Sequence, residues 1–389
     1  MTSRIPLLFD ATSLPPAWGG VARYIQGVLG GFDELGISVH VVAKPVDVER
    51  LRTTAPGHEY HASPAYVGNR VLRFAWEQRG LPRLARRLGA TAIHSPHYTH
   101  PLVTRAKRIV TVHDATFFSD AGVHSRLKGV FFRFWMRRAA AHADALVTPS
   151  RATAEEMRRH TRVRRAEIVV AYLGVDRSLF HPVEASETAR FAARHGLRPE
   201  LGWIAFLGTI EPRKNVGGLI RAHRALTARA AASTPGDAVV PVPPLVISGA
   251  RGWDDDAIAL LDSATPGDGV IEAGYLPVRD LPAFLGGATV VAYPSLGEGF
   301  GLPVLEAMAC GAAVLTTRRL SIPEVGGDCV AYTEPDAEHL ASALGALIAD
   351  RAQRADLGER AESRAGEFTW EACANAHLEA YRAAGTALA

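Results

Sequence analysis

A chain of 389 residues points to two or three domains, and a hydrophobic content of 48% is ample for two cores. No apolar run reaches the length of a membrane span. The N-terminal apolar stretch is too short for a signal peptide and breaks at Asp10. Cys310, Cys329 and Cys373 form neither a metal spacing nor an even set, so buried thiols in a reducing cytoplasm are expected. Net charge is only +3, yet residues 1–183 hold about 26 basic and 14 acidic groups and the remainder about 17 and 26, roughly +12 against −9. With no nucleic-acid motif beside it, the basic half points to an anionic membrane ahead of nucleic acid.

In chain order, residues 6–10 read as a first strand, and Val21, Tyr24, Ile25, Val28 and Leu29 keep helical spacing. Gly19 and Gly20 therefore stand between strand and helix, at the carboxyl end of a sheet, where open α/β sheets bind ligands. A second strand follows at 38–42. Residues 44–90 are less regular, with helical segments around 69–78 and 82–88. Residues 92–95 are a strand end leading to the Pro-bounded loop 96–101. His94, His97 and His100 recur there at three-residue steps without the helical support a metal site would want. Residues 109–114 form the clearest strand of this half and end in His113. Asp114 either orients His113 or caps the next turn.

Residues 127–138 alternate aromatics and arginines within one helix. It lies on a membrane or packs in the core with a basic outer face; apolar residues cover too much of the wheel for a clean membrane face, which favours the core. Residues 145–148 and 168–170 read as strands, with Ser150 as a helix N-cap between them. The basic cluster at 158–165 is exposed by composition. Residues 172–182 close the first half, with a boundary near Val183.

The pattern then restarts. Residues 203–208 are a strand, and Glu211-Pro212-Arg213-Lys214-Asn215 precedes a helix through Val216, Leu219, Ile220 and Leu226. Adjacent Arg213 and Lys214 at a strand-to-helix turn suit a diphosphate, one as a fork and the other as a point charge. Residues 230–244 read as a surface insertion and 245–249 as a strand. Asp254-Asp255-Asp256 looks like a metal motif but lies where acids cap a helix. Residues 289–293 form a buried strand that enters a glycine-rich turn holding Ser295, Glu298, Gly299, Phe300, Gly301 and Leu302. A helix with Pro303 in its first turn follows. The glycines let backbone approach a ligand, the free N–H groups favour phosphate, and Glu298 and Glu306 suit hydroxyls. A ligand with phosphate in the middle and hydroxyls at both ends is a sugar nucleotide. The turn does not fit G-x-G-x-x-G. Strands at 313–316 and 329–331 and terminal helices complete the half.

Glu298 and Glu306, with seven residues between them and G-F-G-L-P inside, resemble the E-x7-E motif of retaining glycosyltransferases of family 4. The resemblance extends to Gly19-Gly20, T-V-H-D at 111–114, the linker at 172–182 (Leu173 stands where Asn is common), R-K-N at 213–215 and the segment 270–276. It implies the GT-B fold: two α/β Rossmann-like domains facing across a cleft, 1–183 for the acceptor and 184–366 for the donor. Residues 367–389 would be a helix crossing back to the first domain. The resemblance assigns His113, Arg213, Lys214 and Glu298 to catalysis. It assigns Gly19, Gly20, Gly208, Gly274, Tyr275, Ser295, Gly299, Phe300, Gly301, Leu302 and Glu306 to the donor, with Glu306 on the ribose. His97, Tyr98 and Asp114 are expected at the acceptor, or the histidines at plain surface. No metal or other cofactor is expected. The partners would be a nucleotide diphosphate sugar, a glycan or lipid-linked acceptor and an anionic membrane at its cytoplasmic face. The N-terminal segments resemble the mannosyltransferase-like branch, which implies GDP-mannose. A UDP- or dTDP-sugar transferase, an epimerase or hydrolase, and a non-catalytic binder remain alternatives.

Overall fold

The structure is a computed structural model that describes residues 3–15, 18–119, 126–232 and 240–386. The chain forms two compact units, one of Met1–Gly174 with Phe368–Ala389, the other of Val175–Glu367. The division comes ahead of the expected boundary at Val183. Residues 175–183 belong with the second unit: Arg177 pairs with Glu362, and Pro182 packs on Gly311.

The first unit runs β1 (Ser3–Asp10), α1 (Gly20–Glu34), β2 (Ile37–Ala43), α2 (Pro45–Thr54), β3 (Glu59–Ala62), α3 (Arg70–Arg87), β4 (Ala92–Ser95) and β5 (Lys107–Thr111). It continues α4 (Thr116–Ser119), α5 (Arg126–His142), β6 (Ala145–Thr148), α6 (Arg151–His160) and β7 (Glu167–Val170). Its seven strands are parallel in the order β3-β2-β1-β4-β5-β6-β7. Helices cover both faces of such a sheet, so its strands read as apolar runs rather than alternations; β4 and β6 are buried at every residue. Ser150 opens α6 as expected, its hydroxyl accepting from the Thr153 amide at 3.1 Å.

The second unit runs α7 (Ala185–Arg194), β8 (Ile204–Leu207), α8 (Val216–Ala231), β9 (Leu245–Ser248), α9 (Asp255–Asp262), β10 (Val270–Gly274), α10 (Leu281–Gly286) and β11 (Val290–Tyr293). It continues α11 (Leu302–Ala309), β12 (Val314–Thr316), α12 (Ile322–Gly326), β13 (Ala331–Tyr332), α13 (Ala337–Ala349) and α14 (Arg351–Ala365). Its parallel order is β10-β9-β8-β11-β12-β13. The last helix, α15 (Trp370–Ala383), belongs to the first unit, where Trp370 seats on Gly27 and Gly31 of α1.

Both sheets wind outward from their centre in two directions. The switch lies between β1 and β4 in the first and between β8 and β11 in the second. Ligands of open α/β sheets bind outside the carboxyl ends at such a point.

Several expectations are corrected. Residues 44–62 are not irregular but hold α2 and β3. The two helical segments near 69–88 are one helix, α3, which passes through Pro82 at the loss of one backbone bond. The strand expected over 109–114 ends at Thr111, with the Val112 amide still bonded to Val147 O, before Asp114 caps the turn that follows. Cys329 is partly exposed, unlike the buried Cys310 and Cys373. Of the insertion expected over 230–244, residues 233–239 lie outside the described residues.

Candidate functional site

In the second unit, neighbouring strands β8 and β11 bring two turns side by side. After β8 the backbone passes Gly208, where an added Cβ would stand 2.5 Å from Lys214 Nζ; glycine there lets the ammonium fold back over the turn. Pro212–Lys214 make one 3₁₀ turn closed by Asn215 in the left-handed region, φ 56°. The turn after β11 is tied to this one: the Leu296 amide donates to Arg213 O at 2.8 Å, and Ser295 Oγ lies 3.2 Å from the same carbonyl.

Arg213 sits between two carboxylates. Its guanidinium donates to Glu211 Oε1 at 2.6 Å and to Gly297 O at 2.5 Å, and pairs with Glu298 Oε2. Glu298 Oε1 accepts from Tyr293 Oη at 2.8 Å and Ser295 Oγ at 3.0 Å. Burial pushes the Glu298 pKa up, but Arg213, Lys214 and these hydrogen bonds outweigh it and hold the carboxyl below its ordinary value. Glu298 is therefore an ionised group, 9% exposed, with both lone pairs of Oε1 engaged.

The turn then reaches α11. Gly301 precedes the helix at φ 108°, a conformation L side chains rarely adopt, and an added Cβ would meet Ile322 at 2.8 Å. Leu302 and Pro303 occupy the first turn of α11, and the Val304 and Leu305 amides both return to the Gly301 carbonyl. Ser321 braces the turn from α12, with Oγ 2.7 Å from Glu298 O and 2.9 Å from Phe300 O. Glu306 lies on α11, 2% exposed. Gly274 and Tyr275 end β10 at the sheet edge, two strand spacings or about 10 Å from β8. The structure thus gathers Gly208, Arg213, Lys214, Ser295, Glu298 and the 299–302 turn at the switch point, with Gly274 and Tyr275 apart from them. Asp254 is the expected cap: its Oδ1 accepts from the Ala257 amide at 3.1 Å, and Asp256 pairs with Arg221.

In the first unit, Gly19 and Gly20 begin α1, both exposed, and an added Cβ at either would meet nothing within 4 Å. Packing therefore does not require glycine at these two positions. His113 is partly buried just past β5. Its Nε2 lies 2.7 Å from Pro96 O; a carbonyl can only accept, so Nε2 carries the proton. Burial holds the ring below its ordinary pKa, which leaves Nδ1 of the neutral ring as an acceptor. Asp114 caps the following turn, with Oδ1 taking the Thr116 hydroxyl at 2.7 Å. Tyr98 is 3% exposed at φ 51°, and its hydroxyl accepts from the Asp114 amide at 3.1 Å.

The histidines of the 94–100 segment are a correction. Only His97 is partly exposed. His94 and His100 are fully buried, so neither is plain surface. His94 belongs to a chain of hydrogen bonds whose direction follows from its far end. His377 Nδ1 lies 2.7 Å from Cys373 O and must donate, so its Nε2 accepts from Tyr24 Oη at 2.8 Å. Tyr24 then accepts from Thr111 Oγ1 at 2.7 Å, Thr111 from His94 Nε2 at 2.8 Å, and His94 Nδ1 from Tyr381 Oη at 2.8 Å. Every donor and acceptor is used once, and both imidazoles are neutral, their pKa values lowered first by burial. Tyr24 meets the His113 ring edge-on with centroids 4.8 Å apart. The web thus couples α15 to the floor beneath His113.

Sequence reasoning gave no site role to Tyr24, His377, Tyr381, Glu211 and Tyr293, and placed His94 at the acceptor or the surface. Glu211 was legible as an acid two residues before Arg213. The partners of Tyr24 lie up to 353 residues away, beyond any local pattern. On α5, Trp135 and Met136 are buried as the core reading expects, while Val130 and Phe134 are 60% and 44% exposed beside Arg137 and Arg138. No described helix is long and apolar enough to cross a membrane.

Comparison with known proteins agrees with this layout. Residues 188–364 match the family described as Glycosyl transferases group 1, and residues 18–179 match Glycosyltransferase Family 4. The O-antigen chain mannosyltransferase B of Escherichia coli is 30% identical over 292 residues, 74% of this chain and 73% of that protein. The D-inositol 3-phosphate glycosyltransferase of Salinispora tropica is 32% identical over 63% of this chain, which spans about half, 52%, of that relative. Sucrose-phosphate synthase from Thermosynechococcus elongatus has a similar fold, with a TM-score of 0.76 at 20% identity over 98% of each chain.

Proposed function

The chain belongs to glycosyltransferase family 4 and has its GT-B fold, and from that premise we propose that it moves mannose from GDP-mannose to a glycan or lipid-linked acceptor with retention at the anomeric carbon. The observation that carries the reading is the paired turns at the β8/β11 switch point, where two cations and the glycine-rich turn before α11 converge beside an ionised carboxylate. Mannose as the sugar is supported by the name of the Escherichia coli relative.

In this reading the diphosphate lies against Arg213, Lys214 and the amides of 299–302, which stabilise the charge that grows on the leaving phosphate. The two carboxylates that flank Arg213 hold its fork in place before the donor arrives. Oε1 of Glu298 is saturated, so a sugar hydroxyl meets Oε2, and Glu306 takes the ribose. His113 offers Nδ1 to another sugar hydroxyl. Gly19 and Gly20, where packing leaves room for a side chain, serve as a bare backbone surface for the donor. The acceptor proton passes to the leaving phosphate on the same face, with no covalent intermediate and no metal. The enzyme works in the cytoplasm against an anionic membrane, which the exposed Val130 and Phe134 beside Arg137 and Arg138 support. Thermal shift against GDP, UDP and dTDP tests the donor base: a ligand at a hundred times its dissociation constant stabilises by about 2.7 kcal/mol. GDP should shift the melt most. A larger shift with UDP or dTDP would overturn the mannosyl donor and leave the transferase.

A further inference from the structure

The edge of the first sheet carries a second group of ligating side chains that the transfer reaction does not use. β2 and β3 pair in parallel with His40 opposite Glu59 and Val42 opposite His61. Side chains two apart on a strand share a face, so Glu59 and His61 stand on one face of β3 with His40 beside them on β2. The pairing register brings them together, on strands that hold position better than a loop would.

Their geometry is close to that of a metal's ligand shell. His40 Nδ1 lies 2.9 Å from His61 Nε2 and 3.2 Å from Glu59 Oε2. One ligand atom from each of the three falls within 4.8 Å of the other two. Two ligands at about 2.0–2.1 Å from a tetrahedral zinc stand about 3.3 Å apart, so both contacts match that edge length to within about 0.4 Å. Two imidazole nitrogens and one carboxylate oxygen are a donor set zinc accepts, and imidazole favours zinc, copper or nickel over magnesium. The His40 side chain is 5% exposed and that of Glu59 50%, which gives a buried floor and an open side for entry.

We propose that His40, Glu59 and His61 bind a borderline divalent cation, zinc foremost, and that this ion pins the edge strand β3 to β2. β3 has four residues and one paired neighbour, the kind of short edge strand for which a cross-strand ligand adds most. The ion is structural: β3 stands four strand spacings, about 19 Å, from β5 and the His113 that follows it.

The test uses the full chain, stripped with a chelator, returned to metal-free buffer and titrated with Zn²⁺ against a chromophoric competitor at pH 7.5. We expect one zinc per chain at micromolar concentration and a loss of affinity of at least about tenfold in both His61→Ala and Glu59→Gln. At a hundredfold excess over its dissociation constant, zinc should raise the melting temperature of the first unit by about 8 °C, with little shift in either variant and none with Mg²⁺. Glu59→Gln changes a half-exposed side chain and carries the test if His61→Ala fails to fold. Absence of stoichiometric zinc, or an affinity unchanged in Glu59→Gln, would overturn the site.

Discussion

Replacing Arg213 with alanine should cost the second unit stability in a way that depends on pH. The substitution removes the partner that Glu298 and Glu211 share and leaves Glu298, 9% exposed, facing burial with Lys214 as its remaining cation. Removing one partner of a buried pair costs about 3–5 kcal/mol, and Lys214 argues for the lower end, about 3 kcal/mol. In the native protein the Glu298 pKa is depressed, so its contribution is present above the ordinary carboxyl value of 4.5 and is lost as pH falls through the folded value. Without Arg213, burial dominates and the same pKa rises. The deficit is therefore full at pH 7 and narrows toward pH 4, where Glu298 takes up a proton in the variant. For a unit of this size 1 kcal/mol is about 2–4 °C, so calorimetry should find the variant melting about 10 °C low at pH 7. Arg213→Lys keeps the charge and should recover more than half of that. On the proposed role of the Arg213 fork at the leaving phosphate, both variants should lose turnover by about two to three orders of magnitude. A variant that melts with the native protein at pH 7, or shows an equal deficit at pH 4, would refute the reasoning.

Burial holds His97 at a pKa of about 3 and His100 and His377 at about 4, against 6.5 ordinarily. All three stay neutral in the fold and protonate on unfolding, so urea midpoints of the first unit should fall from about pH 6.5 toward pH 4, each histidine contributing about 1.4 kcal/mol per pH unit; a flat profile would contradict this. On the proposed role of Arg213 and Lys214 as the counter-charge of the diphosphate, EDTA should leave turnover intact, and loss rescued by Mg²⁺ or Mn²⁺ would remove that assignment. The chain should sediment with anionic vesicles at low salt and release at high salt, and Arg137→Glu with Arg138→Glu should abolish it; retention in high salt or in the double variant would exclude the electrostatic picture.

The sheets were legible because buried parallel strands are apolar along their whole length: 204–207, 245–248 and 290–293 are nearly or wholly buried and stood out as runs. β3 did not, since E-Y-H-A is a polar edge strand with no residue fully buried. α2 carries Val46 83% exposed and gave no clear apolar stripe. Pro82 split α3 on paper because proline usually ends a helix, while the packing of Trp76, Leu81 and Ala85 in one core carries the real helix through it. The glycine-rich turn was legible because Gly301 requires a left-handed backbone that only its residue type readily supplies. The buried state of His94 was not, because its strand end leads straight into the Pro-bounded loop 96–101 and its partner Tyr381 comes from the far end of the chain.

Product analysis by mass spectrometry with GDP-mannose and a mannose-bearing glycan acceptor tests hexose transfer most directly. An acceptor enlarged by one hexose with GDP released, and a new linkage whose one-bond C1–H1 coupling by NMR shows the anomeric configuration of the donor retained, is the predicted result. Free sugar with GDP, an interconverted nucleotide sugar, or a bound donor that never turns over with any hexose nucleotide would contradict it.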